Sequence, residues 1–243
     1  MKNIVFTMWQ NDLVALNLWA KYYSKHFDKL FILCFNTKEK YIPELENLKQ
    51  HYELDYEMVQ EFEGKKVDGT PSVALNLVKW WQRKFVNEYK WVLFANVDEI
   101  VTPFKRLGTM RNLMKNSDKY LLPCTGYEVI QTRNEKPIDY SKPYFKQRKY
   151  WIRNPVYNKI IFSRIALEWN AGLHQIEGVS EDTSREFKNT GLYLIHLKHA
   201  DIGAQNRDFG PYPNGGELHL DPNIMKHWRK KKRKIPEYIK KLL

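Results

Sequence analysis

The sequence has only two cysteines and no long apolar segment. Cys34 and Cys124 each lie inside an apolar run, which indicates reduced core residues and favours a cytosolic protein over a disulfide-bonded one. No stretch of about 18 apolar residues is present, so no segment is predicted to cross a bilayer as a helix. Residues 1–9 are too short and too mixed for a signal peptide and predict a first strand instead. Internal repeats and low-complexity linkers are also missing, so the 243 residues suit one α/β domain.

The positive charge is unevenly distributed along the chain. The formal net charge is +12, and residues 223–243 carry +8 of it, with nine Lys or Arg against one Glu. We therefore divide the chain into a folded body, residues 1–222, and a basic C-terminal tail, residues 223–243. Because the tail also contains Trp228, Ile235 and Tyr238, it is predicted to contact an anionic surface such as lipid headgroups, at the periphery of a membrane. A solvated positive terminus is the alternative.

Strand-like and helix-like segments alternate in the first half of the chain. Buried strands are predicted at Asn3–Met8, Lys29–Phe35, Tyr56–Phe62 and Trp91–Ala95, and helices after the N-cap Asp12, over residues 38–52 and from Pro71. Such alternation favours right-handed crossovers and a parallel sheet. After Pro103, a helix at Leu107–Asn116 and strands at Tyr120–Thr132, Lys159–Ile165 and Gly191–Leu197 predict a mixed sheet.

Parallel sheets bind ligands beyond the carboxyl ends of their strands, where this chain has several polar residues. The segment from Trp91 runs directly from an apolar strand into Asn96, Asp98 and Glu99. Strand alternation places Asn96 and Asp98 on one side and Val97 and Glu99 on the other, so Asn96 and Asp98 could face one point, as the oxygen ligands of a hard divalent cation do. The alternative is that Asp98 caps a turn or pairs with an arginine.

The same segment, Trp91 to Ile100, resembles the DxD region of GT-A fold glycosyltransferases, and in particular the W-V-L-x-x-D-x-D-E-F form of the family-2-like branch. Two further features are similar to that branch: Asn11-Asp12 before a helix containing Trp19, and a late strand that ends in His196. The resemblance covers about residues 3 to 203. It implies a GT-A-like α/β fold and a metal-dependent enzyme that moves a sugar from a UDP- or GDP-sugar to a glycan or lipid-linked acceptor, with inversion.

The resemblance also implies roles for individual residues. Asp98 and His196 would hold Mn²⁺ or Mg²⁺, although His196 could equally be a structural histidine. Asn96 replaces the first Asp of the motif, which should weaken the metal site or make it depend on the donor's diphosphate. The expected donor-site residues are Thr7, Trp9, Asn11, Asn36, Asn76, Lys79 and Asn96, with His174 near the donor or the acceptor. The expected catalytic base is Asp182 or Glu177, in a region whose acidic residues could also be solvated loop charges.

Two alternatives of other kinds stay open. The net charge and the many aromatic residues would suit a nucleic-acid-binding protein or a metal-dependent nuclease using Asp98 and Glu99. Against this, the charge is concentrated in the tail, and no helix-turn-helix, zinc or RNP-type motif is present, so no nucleic acid is expected as a partner. A glycosyltransferase fold without activity is the other alternative, because of Asn96. A loop containing Tyr150 and Trp151 is expected to pack, or to form a platform for sugar rings.

Overall fold

The computed structural model describes residues 1–67, 71–132, 135–170, 176–177, 191–198, 200 and 232–243. The first half alternates strands and helices, as follows: β1 (Asn3–Trp9), α1 (Leu13–Tyr23), β2 (Lys29–Phe35), α2 (Ile42–His51), β3 (Leu54–Val59), the hairpin β4 (Glu61–Phe62) and β5 (Lys65–Lys66), α3 (Pro71–Glu88) and β6 (Trp91–Phe94). Strands β6, β1, β2 and β3 are neighbours in that order, and each neighbouring pair is parallel. The predicted parallel half is confirmed.

The second half continues the same sheet with mixed directions. Its elements are β7 (Glu99–Pro103), α4 (Met110–Asn116), β8 (Leu121–Ile130), β9 (Tyr150–Arg153), β10 (Lys159–Ser163), β11 (Leu192–His196) and β12 (Arg233–Lys234). Within the described residues, the sheet order is β12-β9-β8-β10-β6-β1-β2-β3, with β11 paired to both β7 and β8. The α/β class with a parallel first half and a mixed second half is therefore confirmed.

Aromatic side chains pack together on both faces of the sheet. Phe85 of α3 lies 5.3 Å from Phe6 of β1, which in turn lies 5.1 Å from Phe94 of β6 (ring centroids). On the other face, Trp91 of β6 lies 5.0 Å from Phe162 of β10. Because side chains alternate along a strand, Trp91 and Phe94 point to opposite faces. The core is thus built in layers on both sides of one sheet.

The described part of the basic tail belongs to the folded body. Strand β12 pairs antiparallel with β9, and Ile235 and Ile239 that follow it are buried in the core. Leu242 and Leu243 also pack against this core. Burial of an isoleucine contributes about 1.5–3 kcal/mol, so these side chains stabilise the protein where they lie. Ile235 and Tyr238, which were predicted to meet lipid, instead pack against the protein, whereas Lys232, Arg233 and Lys234 are exposed. Trp228 lies outside the described residues.

Other differences from the sequence prediction are local. Tyr150 and Trp151 lie in a strand and not in a loop, and Trp151 is buried and stacked on Tyr127 at 4.3 Å. The Trp151 ring is therefore a packing residue and not a sugar platform. Strand β7 was not predicted. No helix among the described residues is both long and apolar enough to cross a membrane.

Candidate functional site

The carboxyl ends of six strands meet at one edge of the sheet. Strands β6, β1, β2 and β3 run in the same direction. Strand β10 is antiparallel to both β6 and β8, so β8 runs parallel to β6, and β11 is parallel to β8. Polar residues at the ends of these strands therefore lie along a single edge, which is where open α/β sheets bind ligands.

The acidic segment at this edge forms a tight turn between two strands. Strand β6 ends at Phe94 and β7 begins at Glu99. The amide of Glu99 donates to the carbonyl of Asn96 (2.9 Å), and the amide of Asn96 donates to Oε2 of Glu99 (3.1 Å). Strand alternation therefore stops before Asn96, and the expectation that it would aim Asn96 and Asp98 at one point was wrong. The Asp98 side chain is one-third exposed (33%).

Helix α1 holds the backbone on both sides of this turn. The Trp19 indole N–H donates to the carbonyl of Ala95 (3.1 Å). The Tyr23 hydroxyl donates to the carbonyl of Glu99 (3.1 Å) and accepts from the amide of Val101 (2.8 Å). All these groups are buried. The resemblance noted in the sequence had singled out Trp19, but nothing in the sequence distinguished Tyr23 from an ordinary core residue.

Three ionisable residues form a row on adjacent strands β7, β11 and β8. In the strand register, His196 is paired with Glu99 on one side and with Glu128 on the other. Directly paired residues point to the same face with Cβ atoms about 4.5–5.5 Å apart. Asp98 completes the group, because its Oδ2 lies 3.2 Å from Nε2 of His196. The predicted pair Asp98 and His196 is thus brought together, whereas Glu128 was missed because it lies inside an apolar strand.

Further contacts fix this group in place. Lys159 Nζ lies 2.5 Å from Oε1 of Glu99, and both side chains are buried. Asn154 Nδ2 donates to Oε2 of Glu128 (3.2 Å). The ring of Tyr157 stacks on the imidazole of His196, with centroids 4.1 Å apart. None of these three partners carried a sequence motif.

The charges at the site stabilise one another. Burial opposes the protonation of His196, but the carboxylates of Asp98, Glu128 and Glu99 outweigh it and raise the pKa of His196 to about 9. Burial likewise opposes ionisation of Asp98, but His196, Lys159 and Lys198 lower the pKa of Asp98 to about 2. At neutral pH and without a cation, Asp98 and His196 therefore form an ion pair.

The geometry of Asp98 and His196 also fits two ligands of one divalent ion. Adjacent ligands of an octahedral ion with bonds of about 2.0–2.1 Å are about 3.0 Å apart, close to the 3.2 Å between Oδ2 and Nε2. Imidazole together with carboxylate suits Mn²⁺ and related ions. Among the residues that the structure describes, no group of three or more His, Cys, Asp or Glu forms a metal site. Phosphate oxygens and water commonly supply the remaining ligands of such ions.

A cleft of about 310 Å³ opens at the same edge, between the ends of β2 and β3 and the β4–β5 hairpin. Asn36, Thr37, Gln60 and Lys66 contribute polar groups to its lining. Asn11, at the end of β1, donates from Nδ2 to the carbonyl of Asn36 (3.3 Å) and accepts at Oδ1 from the amide of Lys38 (3.0 Å). Both asparagines adopt left-handed backbone angles, with φ of 58° and 46°, which asparagine tolerates better than most residues.

The remaining predicted residues lie elsewhere. Thr7 and Trp9 are buried in β1, and the Trp9 indole N–H donates to the carbonyl of Asp12 (2.8 Å), so both serve the core. On α3, Asn76 is exposed, and Lys79 Nζ lies 3.4 Å from Oε2 of Glu168. Glu177 is exposed, and its amide donates to the carbonyl of Glu168 (2.7 Å). His174 and Asp182 lie outside the described residues.

Comparisons with known proteins give only distant similarities. No family model and no curated protein matches the chain. Among solved structures, S. aureus TarS 1–349 in complex with UDP-GlcNAc is 13% identical with a TM-score of 0.33, covering 82% of this chain and 56% of TarS 1–349. The complex of TarS 1–349 with UDP is 12% identical, with a TM-score of 0.36 and coverages of 82% and 58%. The glycosyltransferase GlyE of Streptococcus pneumoniae TIGR4 is 16% identical with a TM-score of 0.33, covering 52% of this chain and 29% of GlyE. The chain thus spans little more than half of TarS 1–349, and scores this low assign it to no family.

Proposed function

We propose that this chain is a divalent-ion-dependent glycosyltransferase that uses a nucleotide sugar as donor. The observation that carries the proposal is the arrangement along one sheet edge, with a polar cleft at β2 and β3 and the Asp98–His196 pair at β6 and β11. Strand β1 lies between β6 and β2, so two to three strand spacings, roughly 10–14 Å, separate the end of β6, which leads to Asp98, from the cleft. That span suits a nucleoside diphosphate, with its nucleoside in the cleft and its diphosphate toward Asp98.

Each part of the edge has a proposed task. Asn36 and its neighbours in the cleft bind the nucleoside, and Asn11 braces the loops that form it. Asp98 and His196 would hold Mn²⁺ or Mg²⁺ beside the donor's diphosphate. The bound ion offsets the negative charge that develops on the departing nucleoside diphosphate. The carboxylate of Glu99 binds the backbone amide of Asn96, which leaves the Asn96 side chain available to the ribose or to water near the ion.

The transfer itself exchanges one bond for another. The acceptor hydroxyl oxygen bonds to the anomeric carbon while the bond to the diphosphate oxygen breaks, and the hydroxyl proton passes to a carboxylate. Asp182 or Glu177 is proposed as that carboxylate, with inversion at the sugar. The acceptor is proposed to be a glycan or a lipid-linked sugar. The exposed Lys232, Arg233 and Lys234 would favour an anionic surface that carries such an acceptor.

A donor screen tests the proposal. The wild-type protein and the variants Asp98→Asn and Asp118→Asn are melted with Mn²⁺ and each UDP- or GDP-sugar, and slow release of the sugar is followed. We expect one donor to raise the melting temperature of the wild type and of Asp118→Asn, an exposed aspartate away from the edge, but not of Asp98→Asn. Donor stabilisation that survives both chelation and Asp98→Asn would contradict the role of the ion. Salt-sensitive DNA binding without any donor effect would instead favour a nucleic-acid-binding protein.

A further inference from the structure

We infer that Glu128 is a positioning residue that orients the imidazole of His196, so that Nε2 faces Asp98 and an ion held there. The inference rests on the proposed ion site and adds to it a residue from β8, outside the acidic turn. Glu128 does not contact the ion position itself; it acts through His196. The following observations carry it.

The first observation is the position of the carboxylate. Glu128 and His196 are directly paired on the parallel strands β8 and β11. Oε1 of Glu128 lies 3.5 Å from Nδ1 of His196, on the opposite side of the ring from Asp98, which is 3.2 Å from Nε2. A carboxylate at Nδ1 keeps the imidazole proton on that nitrogen and leaves the Nε2 lone pair for a cation.

The second observation is that Glu128 is itself held firmly. Its side chain is 2% exposed and its Oε2 accepts from Nδ2 of Asn154 (3.2 Å). A buried carboxylate inside an otherwise apolar strand costs free energy unless hydrogen bonds or opposite charges compensate it. Here His196 and Asn154 compensate the buried charge of Glu128. The carboxylate is therefore held where it can align the imidazole ring.

The third observation concerns the plane of the ring. Tyr157 stacks on His196 with an interplanar angle of 22°. The loop that carries Tyr157 passes directly over Gly126 of β8, where a Cβ atom would lie 2.5 Å from the carbonyl oxygen of Asn154 and from backbone and Cβ atoms of Tyr157. Tyr157 therefore fixes the tilt of the imidazole, while Glu128 fixes its rotation. The Nε2 edge is left facing the partly exposed Asp98.

The test compares Mn²⁺ affinity with stability. Free Mn²⁺ is measured by electron paramagnetic resonance, with and without UDP, for the wild type, Glu128→Ala and Glu128→Gln. We expect the Mn²⁺ dissociation constant to rise about 100-fold in Glu128→Ala and about 10-fold in Glu128→Gln, whose amide oxygen can still accept from Nδ1. The control is Gln82→Leu, which removes a buried side chain bonded to Ser163 and Leu167. It should lower the melting temperature without changing the Mn²⁺ dissociation constant.

The possible results separate this inference from the proposed function. If wild-type Mn²⁺ binding is lost in Asp98→Asn but unchanged in both Glu128 variants, the ion site stands and the positioning role of Glu128 is refuted. If both Glu128 variants melt earlier but bind Mn²⁺ like the wild type, Glu128 is only structural and the inference is again refuted. If Glu128→Ala does not fold, Glu128→Gln decides. A wild type that binds no Mn²⁺, even with UDP, overturns the ion site and this inference together.

Discussion

Replacing Tyr23 by phenylalanine should weaken the fold and the acidic turn together. The Tyr23 hydroxyl is fully buried, and it donates to the carbonyl of Glu99 while accepting from the amide of Val101. Burial raises the pKa of Tyr23 well above its ordinary value, so the hydroxyl keeps its proton and this role at every working pH. Without it, two buried backbone groups lose a partner at about 1–3 kcal/mol each. Because a phenylalanine leaves a small gap and the backbone can relax, we expect a total loss of about 2–4 kcal/mol.

The assay is thermal and denaturant unfolding of a series of tyrosine variants. For a chain of this size, 2–4 kcal/mol corresponds to roughly 4–16 °C in melting temperature. Tyr22→Phe, on the same helix, removes a hydrogen bond to the carbonyl of Val101 and one with the side chain of Thr102. Because the Thr102 hydroxyl can rotate to another partner, this variant leaves only one backbone group unpaired and should cost about 1 kcal/mol. Tyr120→Phe, at a ring that is 63% exposed, should have almost no effect.

The same variant also tests whether α1 supports the site. Because Tyr23 holds the residue next to Asp98, Tyr23→Phe should weaken Mn²⁺ binding, whereas Tyr22→Phe should leave it nearly unchanged. Equal losses of stability in Tyr23→Phe and Tyr22→Phe would refute the two-partner account of the Tyr23 hydroxyl. A Tyr23→Phe protein that is as stable as the wild type would refute the whole argument for α1 as the support of the turn.

Two further predictions concern positions outside the ion site. Gly126→Ala should lower the free energy of unfolding by about 1–3 kcal/mol, or the melting temperature by roughly 2–12 °C, because its Cβ would meet backbone atoms of Asn154 and Tyr157 at 2.5 Å. An unchanged melting temperature would show that the loop can move away freely. Burial, with help from Lys25 and Arg111, lowers the pKa of His26 to about 4, so the folded state prefers neutral His26, and the unfolded state takes up the proton first. The free energy of unfolding should therefore fall as the pH drops from about 6.5 to 4. The variant His26→Asn should remove part of that fall, whereas the control His51→Gln, at an exposed histidine, should not.

The sequence predicted the parallel half of the fold well because its signals are local. Short apolar runs such as Lys29–Phe35, broken by N-caps and by Pro71, are sufficient to place strands and helices one after another. The prediction failed where tertiary contacts decide the structure. The turn after Phe94 is closed by the Glu99 side chain, a contact that the alternation of apolar and polar residues cannot predict. Residues 150–153 form the strand β9 because they pair with β8 on one side and with β12 on the other.

The candidate site was predicted only in part for a similar reason. Asp98 and His196 could be singled out because each lies at the end of an apolar strand, and the structure places them in contact. Glu128 and Lys159 are charged residues within strands, and only the pairing of those strands brings them to His196 and Glu99. Thr7 and Trp9 were chosen because β1 leads to the edge, but their side chains point into the core. Strand direction was thus predictable, whereas the face to which a residue points was not.

The placement of β11 has a consequence for the order of folding. This strand is inserted between β7 and β8, which lie roughly 65–95 residues earlier in the chain, whereas the strands that form the cleft are joined by the local pairs β1–β2 and β2–β3, such as Ile4 with Lys29 and Leu30 with Leu54. Contacts between distant segments form slowly because a long loop must be closed first. During refolding, the nucleoside cleft should therefore appear before the ion site, and the recovery of Mn²⁺ binding would mark the moment when the last central strand is in place.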